Sequence, residues 1–125
     1  MEVNFLEFNE NLPIYIQIMN IIKRKIIKGE LKGGNKLPSV RDLSTELKVN
    51  PNTIQRAYQE LERENLVYTQ RGMGTFVTED ENIIRDLKKS MASNLVNNFI
   101  EDMKSLGFSL EDIMMIINEK IKEGR

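Results

Sequence analysis

Apolar residues in the first part of the chain recur every three or four positions: Tyr15, Ile18, Met19, Ile22 and Ile26, between Pro13 and Gly29. That spacing is one face of a helix, and a proline suits its first turn because its missing N–H has no partner to lose. The stretch "GELKGGNKLPS" that follows, with three glycines and a proline, reads as a connector. A second helix is predicted from Ser39, with Val40, Leu43 and Leu47 on one face and Asp42 three residues after the serine, an acidic form of the capping box. Only a few residues separate Leu47 from Asn50-Pro51, where Asn50 can cap and Pro51 can occupy the first turn of a third helix. Its apolar stripe is Ile54, Ala57, Tyr58 and Leu61, and it is predicted to run to about Glu64. From Leu66 the character changes: "LVYTQ" and "TFVT" are β-branched and aromatic segments flanking "RGMG", which predicts a hairpin with a glycine-bracketed tip.

Beyond this the acidic break "TEDEN" suits a helix start, and Ile84, Leu87, Met91, Leu95, Phe99, Met103 and Leu106 then step by three or four over about six turns. Gly107 can end that helix, and Ser109 with Asp112 caps a last one carrying Leu110, Ile113, Met114, Ile116, Ile117 and Ile121. The fold class is therefore mainly α (α+β). A winged helix-turn-helix domain is expected over residues 1–78 and a two-helix tail over residues 79–125.

Composition narrows the function. The net charge of the 125 residues is -1, which does not announce a nucleic-acid binder, but its distribution is uneven. Residues 23–78 hold eleven Lys or Arg against six acids, and residues 79–125 hold seven against ten. Cysteine and histidine are both absent, so disulfides, the usual zinc sites and His-based triads lose their parts. No enzyme, no metal and no cofactor is expected. Nor is there an apolar run long enough for a membrane span, or a basic leader, so a cytoplasmic setting without membrane attachment is expected.

If the stripe of the third helix packs inward, Asn52, Gln55, Arg56 and Gln59 face solvent. Asn and Gln can pair bidentately with adenine and Arg with guanine, while Asn50 and Thr53 have the reach and chemistry for phosphate. Glu60, Glu62 and Glu64 occupy the other half of the helix, where phosphate would repel them, so it should enter a groove N-terminus first. Pro51 marks the start without using a donor, which should leave the first-turn N–H groups free for phosphate. Arg41 lies off the apolar face of the second helix, and Arg71 sits at the wing tip, where glycines allow a close approach to phosphate or the minor groove. Tyr58 shares the apolar stripe and is expected in the core.

The ordered motifs "LPSVRDL", "NPNT", "AYQELERENLV" and "RGMGTFV" closely resemble the DNA-binding domain of the GntR family of bacterial transcription regulators. "PIYIQIMNIIKRKIIKGEL" resembles the helix and turn that precede it, so the similarity covers about residues 11–78. It implies a dimeric repressor or regulator whose winged helix binds a double-stranded operator palindrome. By motif position it implies DNA contacts at Ser39, Arg41, Asn52, Thr53, Gln55, Arg56, Arg71, Gly72, Gly74 and Thr75. Gln55 departs from the basic residue of several relatives.

The 47 residues after Thr78 are too few to enclose an ordinary ligand pocket, and their length and pattern resemble the small YtrA-type branch, whose tail mainly makes a homodimer. The stripe of Ile84, Leu87, Met91, Leu95, Phe99 and Met103 is longer than the last helix can cover, so a second subunit is expected on it. Met91, Met103, Met114 and Met115 are read as interface or core filling, although a small amphipathic effector could enter a cleft beside the tail. The competing function is a winged-helix protein-interaction module. It would not require the outward Asn52, Gln55 and Arg56 together with Arg41 and Arg71.

Overall fold

The structure, a computed structural model, describes residues 11–124. Its elements in order are α1 (Ile14–Ile27), α2 (Val40–Leu47), α3 (Pro51–Arg63), β1 (Val67–Gln70), β2 (Gly74–Val77), α4 (Glu81–Ser105) and α5 (Leu110–Glu123). The chain forms two compact units, one reaching Leu87 and the other starting at Lys88, so the division falls inside α4 rather than at the acidic break.

The first unit is a winged helix. Ile18, Ile22 and Ile26 from α1, Leu43 and Leu47 from α2, and Ile54, Ala57 and Leu61 from α3 form its core, closed by Leu66, Val67 and Val77 at the root of the wing. The local signals explain the starts. Ser39 Oγ accepts the Asp42 amide at 3.0 Å and caps α2, and Asn50 Oδ1 accepts the Asn52 amide at 2.8 Å and caps α3 with Pro51 behind it. The reciprocal half of the capping box is made at Ser109 and Asp112, where α5 begins. Between α2 and α3 the chain turns through Lys48 in the left-handed region, with φ of 57°, and the Ser44 hydroxyl donates to the Val49 carbonyl at 2.5 Å.

The wing is an antiparallel hairpin pairing Val67 with Val77, Tyr68 with Phe76, Thr69 with Thr75 and Gln70 with Gly74. Tyr68 and Phe76 stack across it with ring centroids 5.7 Å apart. The connector is not a loose loop. Gly34 donates to Val77, Val77 to Asn35 and Leu37 to Thr75, each at 2.8 Å, so residues 34–37 add an edge to β2. Leu37, only 2% exposed, seals that edge into the core.

Gly74 shows why the wing needs glycine. Its φ of 124° lies where L side chains rarely go, and an added Cβ would fall 2.6 Å from Lys36 Cε. Lys36 is flexible enough to swing aside, so the backbone angle is the lasting obstacle. Gly72 has a φ of 79° but open space around it.

Ile83, Ile84 and Leu87, on the first turns of α4, pack half-buried against the winged-helix core. Ile84 and Leu87, expected in the seam, thus also have a contact within their own chain. Periodicity names the apolar face of a helix, not its partner, and here the chain's own core takes the first turns. In the second unit Ile113 is buried, whereas Leu95, Leu106, Leu110, Met114 and Met115 are more than half exposed and Phe99 is 40% exposed. Among the described residues no helix is long and apolar enough to cross a membrane.

Two stability outcomes follow from this packing. Tyr58 is 5% exposed, and its hydroxyl donates to the Pro38 carbonyl at 2.7 Å. Burial, with the Glu46 carboxylate adding, raises the phenol above its ordinary pKa, so it stays a donor. Tyr58→Phe should lower stability by about 1 kcal/mol in urea denaturation with an unchanged m value. An unchanged midpoint would mean that water replaces the bond at no cost. Gly74→Ala should cost more than the ~1 kcal/mol expected of Gly72→Ala, because only Gly74 combines an angle outside the left-handed helical well with a neighbour in the way. The same urea curves rank the two.

Candidate nucleic-acid interface

Three parts of the winged helix carry the predicted contacts, and one segment holds them in register. Residues 34–39 lead from the edge of the wing to the α2 cap. Leu37 is bonded to Thr75 of β2, and the next residue, Pro38, accepts the Tyr58 hydroxyl of α3. Ser39 then caps α2. A short run of chain thus fastens the wing, the start of α2 and the body of α3 to one another. A second tie links α3 to β1, where Glu62 Oε2 accepts the Thr69 amide at 2.9 Å.

On α3, Asn52, Gln55, Arg56 and Gln59 are exposed while Ile54, Ala57, Tyr58 and Leu61 are buried, as the periodicity requires. Thr53 is half-buried. The expectation that the first-turn amides stay free is not met. Asn52 N–H donates to Asn50 Oδ1 and Thr53 N–H to the Asn50 carbonyl at 2.9 Å. Asn50 therefore spends its acceptor on the cap, because a helix start satisfies its own donors before a ligand arrives. What Asn50 keeps for a phosphate is its side-chain amide N–H.

Ser39 is in the same position: its oxygen accepts from Asp42, and its hydroxyl proton remains available to donate. Arg41 is exposed on α2, and no carboxylate pairs with it among the described residues. Arg71 is exposed at the tip of the wing, beside Gly72, likewise without a carboxylate partner among the described residues. Gly74 and Thr75 are half-buried at the start of β2, with the Thr75 hydroxyl 3.5 Å from that of Thr69.

The acids of α3 have local work. Glu60 pairs with Arg63 at 3.0 Å, and Glu64 pairs with Lys23 of α1 at 2.9 Å. With Glu62 bound to the wing, the C-terminal half of α3 is committed to the fold, and its N-terminal half carries the exposed polar face. The sequence reading missed Lys36. Its side chain lies across Gly74, which adds a cation to the wing beside Thr75. The available signal was a lysine in a glycine-rich connector, which does not show that the connector pairs with β2. Lys36 also lines an open cavity of about 580 Å³ with Lys25, Glu30, Leu31, Ser39 and Asp42, whose charges are of both signs.

The arrangement offers exposed hydrogen-bonding groups on one helix, cations on α2 and on the wing, and a rigid link between them. The chain that carries it is similar to known proteins. The family model described as "Bacterial regulatory proteins, gntR family" matches residues 14–77. The chain is 43% identical over 108 residues to the HTH-type transcriptional regulator YhcF of Bacillus subtilis, covering 86% of this chain and 89% of the relative. It is 41% identical over 112 residues to the HTH-type transcriptional repressor YtrA of the same organism, covering 89% and 83%. A solved GntR family transcriptional regulator from Listeria monocytogenes superposes with a TM-score of 0.81 at 45% identity, covering 90% of this chain and 98% of that one. Motif, fold and the exposed polar face of α3 agree: the chain belongs to the GntR family of bacterial regulatory proteins and is a DNA-binding transcriptional regulator with a winged helix-turn-helix.

Proposed function

We propose that this regulator is a repressor that binds a palindromic operator as a homodimer joined through its C-terminal helices. The observation that carries the dimer is the apolar surface of the second unit. No residue of α4 is fully buried in the single chain, and Leu95, Phe99, Leu106, Met114 and Met115 stand open to water. Covering the exposed part of such a side chain contributes on the order of 1 kcal/mol. Association costs roughly 4–15 kcal/mol in lost freedom, so several must be covered on each chain, and the tail supplies them. The proposed seam comprises Ile84, Leu87, Met91, Leu95, Phe99 and Met103, of which Ile84 and Leu87 also pack half-buried against the winged-helix core. Similarity to the repressor YtrA supports the sign of regulation.

On the DNA side, Asn52, Gln55 and Arg56 read bases, and Gln55 sets a preference of its own. Arg41 and Arg71 contact phosphate or base edges from separate elements, and Ser39, Asn50, Thr53, Gly72, Gly74 and Thr75 position the backbone. Two chains joined at the tail present two such units, which calls for two half-sites related by a dyad.

Two experiments test this reading. Arg41→Ala and Arg71→Ala should each weaken binding to an operator selected by the wild type, by about 1–3 kcal/mol where the contact is to a base. Anisotropy at fixed salt measures it, and wild-type affinity in both variants removes the assignment. Leu95→Glu should place a charge in the seam, give monomers in analytical ultracentrifugation and weaken operator binding through loss of the tethered second unit. A variant that stays dimeric with unchanged affinity assigns the tail another role.

A further inference from the structure

Arg56 is not simply a free side chain on the α3 face. Its guanidinium lies over the ring of Tyr15, with Cζ 3.9 Å from the centroid. Tyr15 belongs to the first turn of α1, Arg56 to the second turn of α3, and the two helices pack on each other. The tyrosine is half-buried and the arginine exposed, and no carboxylate pairs with Arg56 among the described residues.

The geometry differs in kind from an ion pair. A carboxylate would consume the N–H donors of the guanidinium, whereas a ring under its flat face consumes none, because the donors all lie in the plane and point outward along its edge. An unrestrained arginine also carries considerable rotamer entropy, which binding must remove. Stacking on Tyr15 removes part of it beforehand, and the burial of Tyr15 against the α1–α3 pair keeps the platform still.

We propose that Tyr15 is a positioning residue for operator recognition: it holds the Arg56 guanidinium flat against α1 with its hydrogen-bonding edge presented to DNA. The inference rests on the reading of α3 as the helix that meets the operator. It makes the first helix, whose periodicity marks only a core face, a contributor to affinity through a residue that touches no DNA.

A double-mutant cycle on the full-length protein tests it, with the operator selected by the wild type, anisotropy at fixed salt, and urea midpoints recorded for every variant. Tyr15→Phe keeps the ring and should bind as the wild type does. Tyr15→Leu keeps apolar bulk but removes the π face, and should weaken binding about two- to fivefold, the equilibrium equivalent of an exposed cation–π contact. In an Arg56→Ala background the same Tyr15→Leu change should have no further effect. Equal losses from Tyr15→Leu with and without Arg56 would show a packing role and overturn the proposal, as would wild-type affinity in Tyr15→Leu. A loss in Tyr15→Phe as large as in Tyr15→Leu would assign the effect to the hydroxyl and overturn it too. A wild-type protein that selects no DNA sinks the operator reading itself, whereas an additive cycle on a well-bound operator sinks only the role of Tyr15.

Discussion

The segment Gly34–Ser39 is the constraint on which the rest of the winged helix depends. Three backbone hydrogen bonds fix it to β2, Leu37 is buried beneath it, and its Pro38 carbonyl accepts the one hydroxyl on the α3 stripe. Each of these bonds is worth only about 1 kcal/mol net, but leaving a buried partner unpaired costs about 1–3 kcal/mol, so the tie favours a single arrangement. The wing, the cap of α2 and the third helix therefore share one frame. A DNA-reading surface needs this, because contacts from separate elements add only if their spacing matches the duplex before binding.

The helices were legible because their starts carry chemistry that acts locally. Ser39, Asn50 with Pro51, and Ser109 with Asp112 mark the beginnings of α2, α3 and α5 through bonds spanning two or three residues. The edge formed by residues 34–37 was not legible, because its pairing is made entirely by backbone groups and its residues, Gly, Asn and Lys among them, have poor strand propensity. The same limit hid the Tyr15–Arg56 stack. Tyr15 fits the apolar period of α1 and Arg56 the polar period of α3, and neither period says that one will lie over the other. The free amides expected behind Pro51 at the start of α3 fail for a related reason: Asn50, which marks the start, takes the Asn52 amide on its side chain and the Thr53 amide on its carbonyl.

The acids of α3 show how one residue set can serve exclusion and folding together. The carboxylates of Glu60, Glu62 and Glu64 oppose phosphate at the C-terminal end of the helix, which favours an approach by its other end. Their partners are Arg63, the Thr69 amide and Lys23. Surface pairs of this sort contribute little stability singly, about 0–1 kcal/mol, whereas the bond of Glu62 to a backbone amide adds a second tie between α3 and the wing. Pairing Glu60 and Glu64 with cations reduces this repulsion without reversing it, since Glu62 keeps its charge against a neutral amide, and Arg56, the cation of α3 outside such a pair, lies in the N-terminal half on a neutral ring.

Along α4 a single apolar period meets different surroundings. Its first turns are absorbed by the winged-helix core through Ile83, Ile84 and Leu87, and Leu95 and Phe99 further along remain open. Isolated exposed apolar residues are ordinary on a protein surface, but Leu95 and Phe99 at helical spacing on α4, with Leu110, Met114 and Met115 exposed on α5, form a set rather than scattered singles. In the proposed dimer that surface carries the stability of the assembly while the DNA contacts lie in the other unit. Substitutions in the tail then change affinity through the number of winged helices delivered to one operator, and substitutions on α2, α3 or the wing change it through the contacts each one makes.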